Sequence, residues 1–269
     1  MKKTSAKIVF FGSGPVAAES LRLILNDFEV EAVITKPSTE KEMTLVAGNA
    51  PVYTVTKRSE LNDLVHSQKF SSTLGILIDF GIIVSQKVID YFPLGIINSH
   101  FSILPEWRGA DPISFAILSG QETTGVSIMI LVEAMDEGPL LGYGEYELSG
   151  KENSTQLTSA LIKLSHALLQ HDVPRLISGD EKSGVPQSVT KRAVSYSRKL
   201  TKQDGILDFT KTAKELEAEV RAFIEWPKSR TEIAGKDVVI TKASVDETRA
   251  GELGSVFKTE DKKIGIQTI

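Results

Sequence analysis

The sequence predicts an α/β protein: a doubly wound, mostly parallel open sheet, followed by a small β-rich, OB-like module. Three observations lead there. Short, nearly continuous apolar runs alternate with segments of helical spacing through most of the chain, the pattern of strands buried on both faces and joined by crossover helices. The first of these runs ends in a glycine-rich turn, Gly12-Ser-Gly-Pro15. After Trp226-Pro227 only brief strand-like runs remain, separated by turn residues.

The elements follow in order. Lys7–Phe11 is an apolar run that reads as a buried strand. From Val16 to Leu25 the spacing turns helical, with Ala17, Leu21, Ile24 and Leu25 on one stripe. Val30–Thr35 and Thr73–Ile78 are further strands, Ser85–Phe92 a helix, and Gly95–Ser99 a strand. Pro112–Leu118 is helical and Gly125–Leu131 a strand. Leu157, Leu161, Leu164 and Leu168 form one stripe of a helix starting near Asn153. Ser178–Lys202 has no periodicity, whereas Thr212–Phe223 is again helical. Arg230–Ile233, Asp237–Val245 and Gly254–Phe257 are the closing strand-like runs, a pattern that suits a partial barrel. The expected division is a domain over 1–190, a linker over 191–207 and the β-rich domain over 208–269.

Composition narrows the chemistry. With 41% hydrophobic and 25% charged residues over 269 positions, the chain is of ordinary globular composition. Cysteine is absent, which excludes disulfides, thiolate metal sites and a cysteine nucleophile, and suits a reducing compartment. Four histidines lack the spacing of a metal motif, so no metal is expected. No Gly-x-Ser-x-Gly elbow is present. The Met1–Lys7 start is charged like a signal-peptide head, but Ile8–Gly14 is too short and glycine-rich for its apolar core. No run approaches the roughly 18 apolar residues of a membrane span. A cytoplasmic monomer without membrane association is expected. The net charge of −4 divides into −7 over residues 1–190 and +3 over 191–269, so the tail can meet phosphates without being a dedicated nucleic-acid module.

Gly12-Ser-Gly-Pro-Val-Ala17 matches the dinucleotide fingerprint G-x-G-x-x-G/A. The second strand, however, ends Ile34-Thr35-Lys36 with no acidic residue for a ribose hydroxyl. Pro15 also removes an amide donor from the turn. A tight strand-to-helix turn is favoured over an NAD(P)-dependent reductase. Asn98 and His100 lie two apart at the end of a predicted strand, so their side chains share a face. A carboxamide and an imidazole together can donate to a developing oxyanion and exchange a proton with a nucleophile. Asp136, just past the Gly125–Leu131 strand, can come from a neighbouring loop to orient the imidazole. A polar Asn-Ser-His cluster directly after a buried apolar run favours catalysis over a packing role. His66, His166 and His171 suit solvated or packing roles.

These residues resemble the folate-dependent formyltransferases. The family pattern is Asn-x-His, Ser-Leu-Leu-Pro-x-x-Arg-Gly, Thr-Gly-Val-Thr-Ile-Met and Leu-Asp-x-Gly. The chain has Asn98-Ser-His100, Ser102-Ile-Leu-Pro105-Glu-Trp-Arg108-Gly109, Thr124-Gly-Val-Ser-Ile-Met129 and Met135-Asp136-Glu-Gly138, without a gap. The resemblance runs from about Ala6 to Ser244 through Asp79-Phe80-Gly81 and Arg221–Pro227. It implies a formyltransferase-like Rossmann variant with 10-formyltetrahydrofolate as formyl donor. It places the catalytic triad on Asn98, His100 and Asp136. It places folate contacts on Phe80, Gly81, Ile82 and Ile83, and on Ser102, Ile103, Leu104 and Pro105. The branch resembled most closely implies initiator methionyl-tRNA as acceptor, in translation initiation. Lys199 and Lys202 in Ser197-Arg-Lys-Leu-Thr-Lys-Gln203 would face the tRNA. The region after the second strand, Lys36–Val46, is shorter than that branch's basic loop and lacks arginine. This feature favours an alternative acceptor, an amino sugar linked to a nucleotide. The chain stops at Ile269, short of the family's last strands, so a shortened second domain is expected.

Overall fold

The computed structural model describes residues 7–180, 184–246, 252–258 and 264–269. The charged start read above lies, except for Lys7, outside the described residues, as do 181–183 of the expected first domain and 247–251 and 259–263 of the expected second. In chain order the elements are β1 (Lys7–Gly12), α1 (Pro15–Asp27), β2 (Glu29–Thr35), α2 (Glu40–Val46), β3 (Val52–Thr54), α3 (Arg58–Gln68), β4 (Leu74–Ile78), α4 (Gln86–Tyr91), β5 (Ile96–His100) and β6 (Arg108–Gly109). There follow α5 (Pro112–Leu118), β7 (Thr123–Ile130), β8 (Leu140–Glu147), α6 (Ser154–Ser178), β9 (Tyr196–Ser197), α7 (Ala213–Ala222) and β10 (Arg230–Ile233). The last are β11 (Lys236–Val239), β12 (Val256–Lys258) and β13 (Ile264–Ile266). Among the described residues no helix is long and apolar enough to cross a membrane.

The chain divides into two compact units, neither of them continuous in sequence. One comprises 1–110, 124–146 and 159–196; the other comprises 111–123, 147–158 and 197–269. The first unit is organised by a sheet of order β3-β2-β1-β4-β5-β7-β8. From β3 to β5 all neighbours are parallel, and β7 then runs antiparallel to β5. The mostly parallel open sheet read from the sequence is therefore observed. Strand order reverses between β1 and β4, and in such sheets ligands gather beyond the carboxyl ends of the strands.

Close packing explains the turn after β1. A Cβ on Gly12 would lie 2.6 Å from the Phe10 ring, 2.7 Å from Ala17 Cβ and 2.8 Å from the Ile78 carbonyl oxygen. Gly14 has φ +87°, and Pro15 opens α1. Where a dinucleotide fold would carry an acidic residue, β2 ends in buried Thr35, whose hydroxyl lies 3.3 Å from Ser13 Oγ and 2.8 Å from Thr39 Oγ1. Beneath, Phe11 meets Phe80 and Phe92 edge to face at 5.8 and 5.9 Å, in a core shared with Val9, Ile34 and Val88. Each such pair adds about 0.5–1.5 kcal/mol beyond the burial itself. This cluster fixes the start of the segment that follows β4.

One surface clamp makes the unit sensitive to pH. Glu31 of β2 accepts from the backbone N–H groups of Ser71 and Ser72 at 2.8 and 2.7 Å and from both their hydroxyls. Partial burial pulls its carboxyl upward, but the bonds from Ser72 and Ser71 prevail and hold it below the ordinary glutamate value. A carboxyl depressed in the folded state stabilises fully above the unfolded pKa, and that contribution is lost as pH falls through the folded one. Glu31→Gln should thus be less stable than wild type near neutral pH, with the gap closing as the medium is acidified below the ordinary glutamate range. Denaturant titrations from about pH 7 to about pH 3 measure this; a gap that widened in acid would contradict the clamp.

In the second unit α5 packs against α7. Asp111 caps α5 by accepting from Ser114 N at 3.3 Å, while burial pushes its carboxyl upward. Thr212 and Glu215 close a reciprocal capping box on α7. β10 and β11 form an antiparallel hairpin whose turn, Ala234-Gly235, has φ +50° and +75° at its two residues, the geometry two-residue hairpins favour. β12 pairs antiparallel with β13. The region is β-rich as read, and among the described residues its strands form two separate ladders. The run expected to extend to Val245 leaves the strand after Val239, where pairing with Arg230 ends.

Candidate active site

β5 supplies the first two groups. Its register sets Asn98 opposite Met129 and His100 opposite Ser127 of β7. Ser99, between them, points to the other face, where its Oγ meets Ser165 Oγ of α6 at 2.6 Å. Asn98 and His100 therefore share the opposite face, as two-residue periodicity requires. Both are buried, yet not sealed, with 7% and 6% of their surfaces exposed.

His100 is hydrogen-bonded at one ring nitrogen and faces a carboxylate with the other. Nε2 lies 3.0 Å from the Trp107 carbonyl oxygen, and Nδ1 lies 3.7 Å from Asp136 Oδ1. A carbonyl oxygen can only accept, so Nε2 carries the proton of that bond and Nδ1 is the nitrogen facing the carboxylate. Asp136 in turn accepts from Gly109 N at 2.8 Å through Oδ2. Trp107 and Asp136 both stand at φ +53°, a conformation that costs a non-glycine residue on the order of 1–3 kcal/mol and collects at functional sites. The two residues that bracket the imidazole are thus both held in uncommon backbone geometry.

The triad positions read from the sequence are brought together, Asn98 by strand periodicity and Asp136 by direct approach to His100. The proposed folate positions separate into two kinds. Phe80, Ile103 and Leu104 are core side chains: Phe80 stacks in the Phe11 cluster, and Leu104 packs with Met129 and Leu140. Only their backbone could face a ligand. Ser102 is also buried, and Ser127 Oγ ties this stretch down, donating to Ser102 O and accepting from Leu104 N. Pro105 is buried after a cis bond. Gly81 and Ile83 are exposed, with Gly81 at φ +69° and Lys36 Nζ close above it, while Ile82 is partly buried. Lys199 and Lys202 are exposed side chains of the second unit.

Sequence reasoning missed three groups: the Trp107 carbonyl, the Gly109 amide and Gln187. The first two lie inside the Pro105–Gly109 motif, but backbone atoms carry no residue-type signal. Gln187, buried beyond the end of α6, donates from Nε2 to the carbonyls of Asp136 at 2.7 Å and Gly138 at 3.0 Å. A cavity of about 640 Å³ adjoins this region, lined among others by Pro105, Arg108, Glu137, Gln187 and Arg192 but not by Asn98 or His100. At its edge burial pushes the Glu106 carboxyl upward against the pull of Arg192, with Glu145 adding to the rise. Among the described residues no group of three histidine, aspartate or glutamate side chains is placed to hold a metal ion.

Residues 6–173 match the family model described as formyl transferase, and 199–269 match that of the formyl transferase C-terminal domain. A methionyl-tRNA formyltransferase of Coxiella burnetii is 32% identical over 97% of this chain and 87% of its own length. One from Bacillus licheniformis is 30% identical over 97% and 86%. Among solved structures, a 4-N formyltransferase from Francisella tularensis aligns with TM-score 0.71 at 19% identity, covering 90% of this chain and 98% of that one. An N-formyltransferase from Helicobacter canadensis, solved with folinic acid and dTDP-3-aminofucose, aligns with TM-score 0.71 at 18% identity over 98% and 96%.

Proposed function

The chain belongs to the formyl transferase family and is a transferase, and we propose that it moves a formyl group from 10-formyltetrahydrofolate to the α-amino group of methionine on initiator methionyl-tRNA. The observation that carries the reading is His100, proton-fixed at Nε2 by Trp107 and facing Asp136 at Nδ1, on one strand face with Asn98. An amide and an imidazole on one face at the carboxyl end of a strand, with a carboxylate facing the imidazole, is a set of groups suited to acyl transfer to an amine. Methionyl-tRNA formyltransferases covered over most of their length support the acceptor, and a role in translation places the reaction in the cytoplasm.

The site fits the folate on its own terms. Gly81, exposed and without a side chain, offers backbone hydrogen-bonding edges, and Ile83, 61% exposed, offers an aliphatic face for a flat ring. Bound there, 10-formyltetrahydrofolate supplies an activated one-carbon acyl group. Asn98 donates its amide N–H to the oxygen of that group as negative charge develops, an interaction worth about 2.7–4 kcal/mol when donor and oxyanion are well placed. His100 takes the proton of the attacking amine at Nδ1, the nitrogen left free by the Trp107 bond. Asp136 stabilises the imidazolium so formed, and His100 then returns the proton to the departing nitrogen. Gly109 N, by holding Asp136 Oδ2, leaves Oδ1 directed at the ring.

A second acceptor, an amino sugar linked to a nucleotide, is favoured by one feature. The segment after β2 is a short turn and α2, which opens with Glu40 and Glu42 instead of a basic loop. The deciding experiment offers 10-formyltetrahydrofolate with either charged initiator tRNA or an amino sugar nucleotide and assays which is formylated. Charge reversal at Lys199 and Lys202 should raise KM for tRNA several-fold, more so at low salt, where phosphate contacts count most. Formylation of the sugar alone, or tRNA kinetics untouched by the reversals, would transfer the proposal to the sugar acceptor.

A further inference from the structure

We propose that Gln187 is a positioning residue that sets the catalytic carboxylate through the backbone of the loop carrying it. The proposal rests on the reading of Asp136 as the partner of His100. Asp136 sits in an exposed stretch: Met135 is 65% exposed and Glu137 is exposed as well. Its backbone is at positive φ, a conformation aspartate tolerates better than most residues but still at a cost. Gln187 holds the loop from outside it, from a position 51 residues further on. Its amide donates both protons, one to the carbonyl of Asp136 and one to that of Gly138, and so bridges the residues on either side of Glu137. Its oxygen is occupied as well, accepting from Arg108 Nη2 at 2.7 Å, while Arg108 Nη1 meets Glu137 Oε1 at 3.0 Å.

Burial decides which arm of this clasp carries weight. Glu137 is half exposed, so its ion pair with Arg108 is worth little in water. Gln187 is 7% exposed, and losing it would strand two carbonyls in a mostly dry setting. The clasp also joins both supports of the carboxylate. Arg108 is next to Gly109, whose N–H holds Oδ2, and Gln187 ties Arg108 to the Asp136 carbonyl. One side chain thus couples the backbone and the side-chain ends of the same aspartate.

A misplacement of about 1 Å in a catalytic group can cost on the order of a hundredfold in rate. Gln187→Leu, which removes all three bonds, and Gln187→Glu, which keeps the size and an acceptor for Arg108 but loses both donors, are expected to lower kcat by about tenfold to a hundredfold. KM for both substrates should stay within about twofold. The decisive step is a double-mutant cycle: placed on Asp136→Asn, either change should cost little further. Thermal unfolding monitors folding of each variant, and Gln187→Glu keeps the test open if Gln187→Leu unfolds. Wild-type kcat above that of Asp136→Asn, with full additivity in the cycle or an unchanged kcat in Gln187→Glu, would overturn the positioning role. A wild-type enzyme that formylates neither acceptor, or an Asp136→Asn variant as fast as wild type, would instead overturn the reading of the site itself.

Discussion

His100→Ala is expected to abolish measurable formyl transfer while leaving the fold intact. General acid–base groups contribute about 10²–10⁴-fold to rate, and here one ring serves both as the proton acceptor and as the positive charge beside the developing oxyanion. Nδ1 owes its orientation to the Trp107 carbonyl on one side and Asp136 on the other, and both lose their partner with the ring. The structural penalty is smaller. Removing the ring leaves the Trp107 carbonyl without its donor, at a cost of about 1–3 kcal/mol against a typical domain stability of about 5–15 kcal/mol. The remaining strand hydrogen bonds of β5 to β4 and β7 are backbone bonds and survive. Single-turnover assays with a matched thermal unfolding curve separate the two effects. A folded variant that kept more than about a tenth of the wild-type rate would remove His100 from the chemistry.

Much of this site was legible because its side chains obey the period of the strand that bears them. Asn98, Ser99 and His100 alternate faces, and the spacing alone set the first and third side by side. Gly12 and Gly14 are equally legible as a turn, the first serving close packing against Phe10, Ala17 and Ile78 and the second a positive φ. What escaped has physical causes. α2, β3 and α3 lie between recognised strands, and β3 is only three residues long with partly exposed side chains, too short for a period to register. β8 alternates exposed and partly buried positions beyond its first two residues and contains two glycines, so its sequence mimics a loop. Antiparallel entry of β7 cannot be read from an apolar run, which looks alike in either direction. The compact units interleave along the chain, which no local pattern shows: Pro112–Leu118 reads as a helix, but its partner α7 lies about a hundred residues on. Gln187 had no signal at all. A glutamine in an aperiodic segment looks like a solvated loop residue until the Asp136 and Gly138 carbonyls arrive beside it.

Asp136→Asn should cost nearly as much as losing the imidazole, and by a different route. Asparagine tolerates positive φ as well as aspartate does, so the backbone at φ +53° is not strained by the change. One amide oxygen can still accept from Gly109 N, which turns the new NH2 toward His100. That NH2 is a donor facing Nδ1, the nitrogen required to receive the amine's proton. The substitution therefore caps the base with a hydrogen bond and removes the negative charge that would stabilise the imidazolium. In a serine-protease triad the same exchange leaves geometry intact and lowers kcat by about 10⁴ through the wrong tautomer; here, with a 3.7 Å approach instead of a short bond, a loss of about 10²–10⁴ in kcat is expected. Because the carboxylate meets the imidazole and not the substrates, KM should change little. Steady-state kinetics over both substrates make the distinction. A variant with wild-type kcat and a raised KM would mean that Asp136 binds an acceptor rather than governing proton transfer at His100.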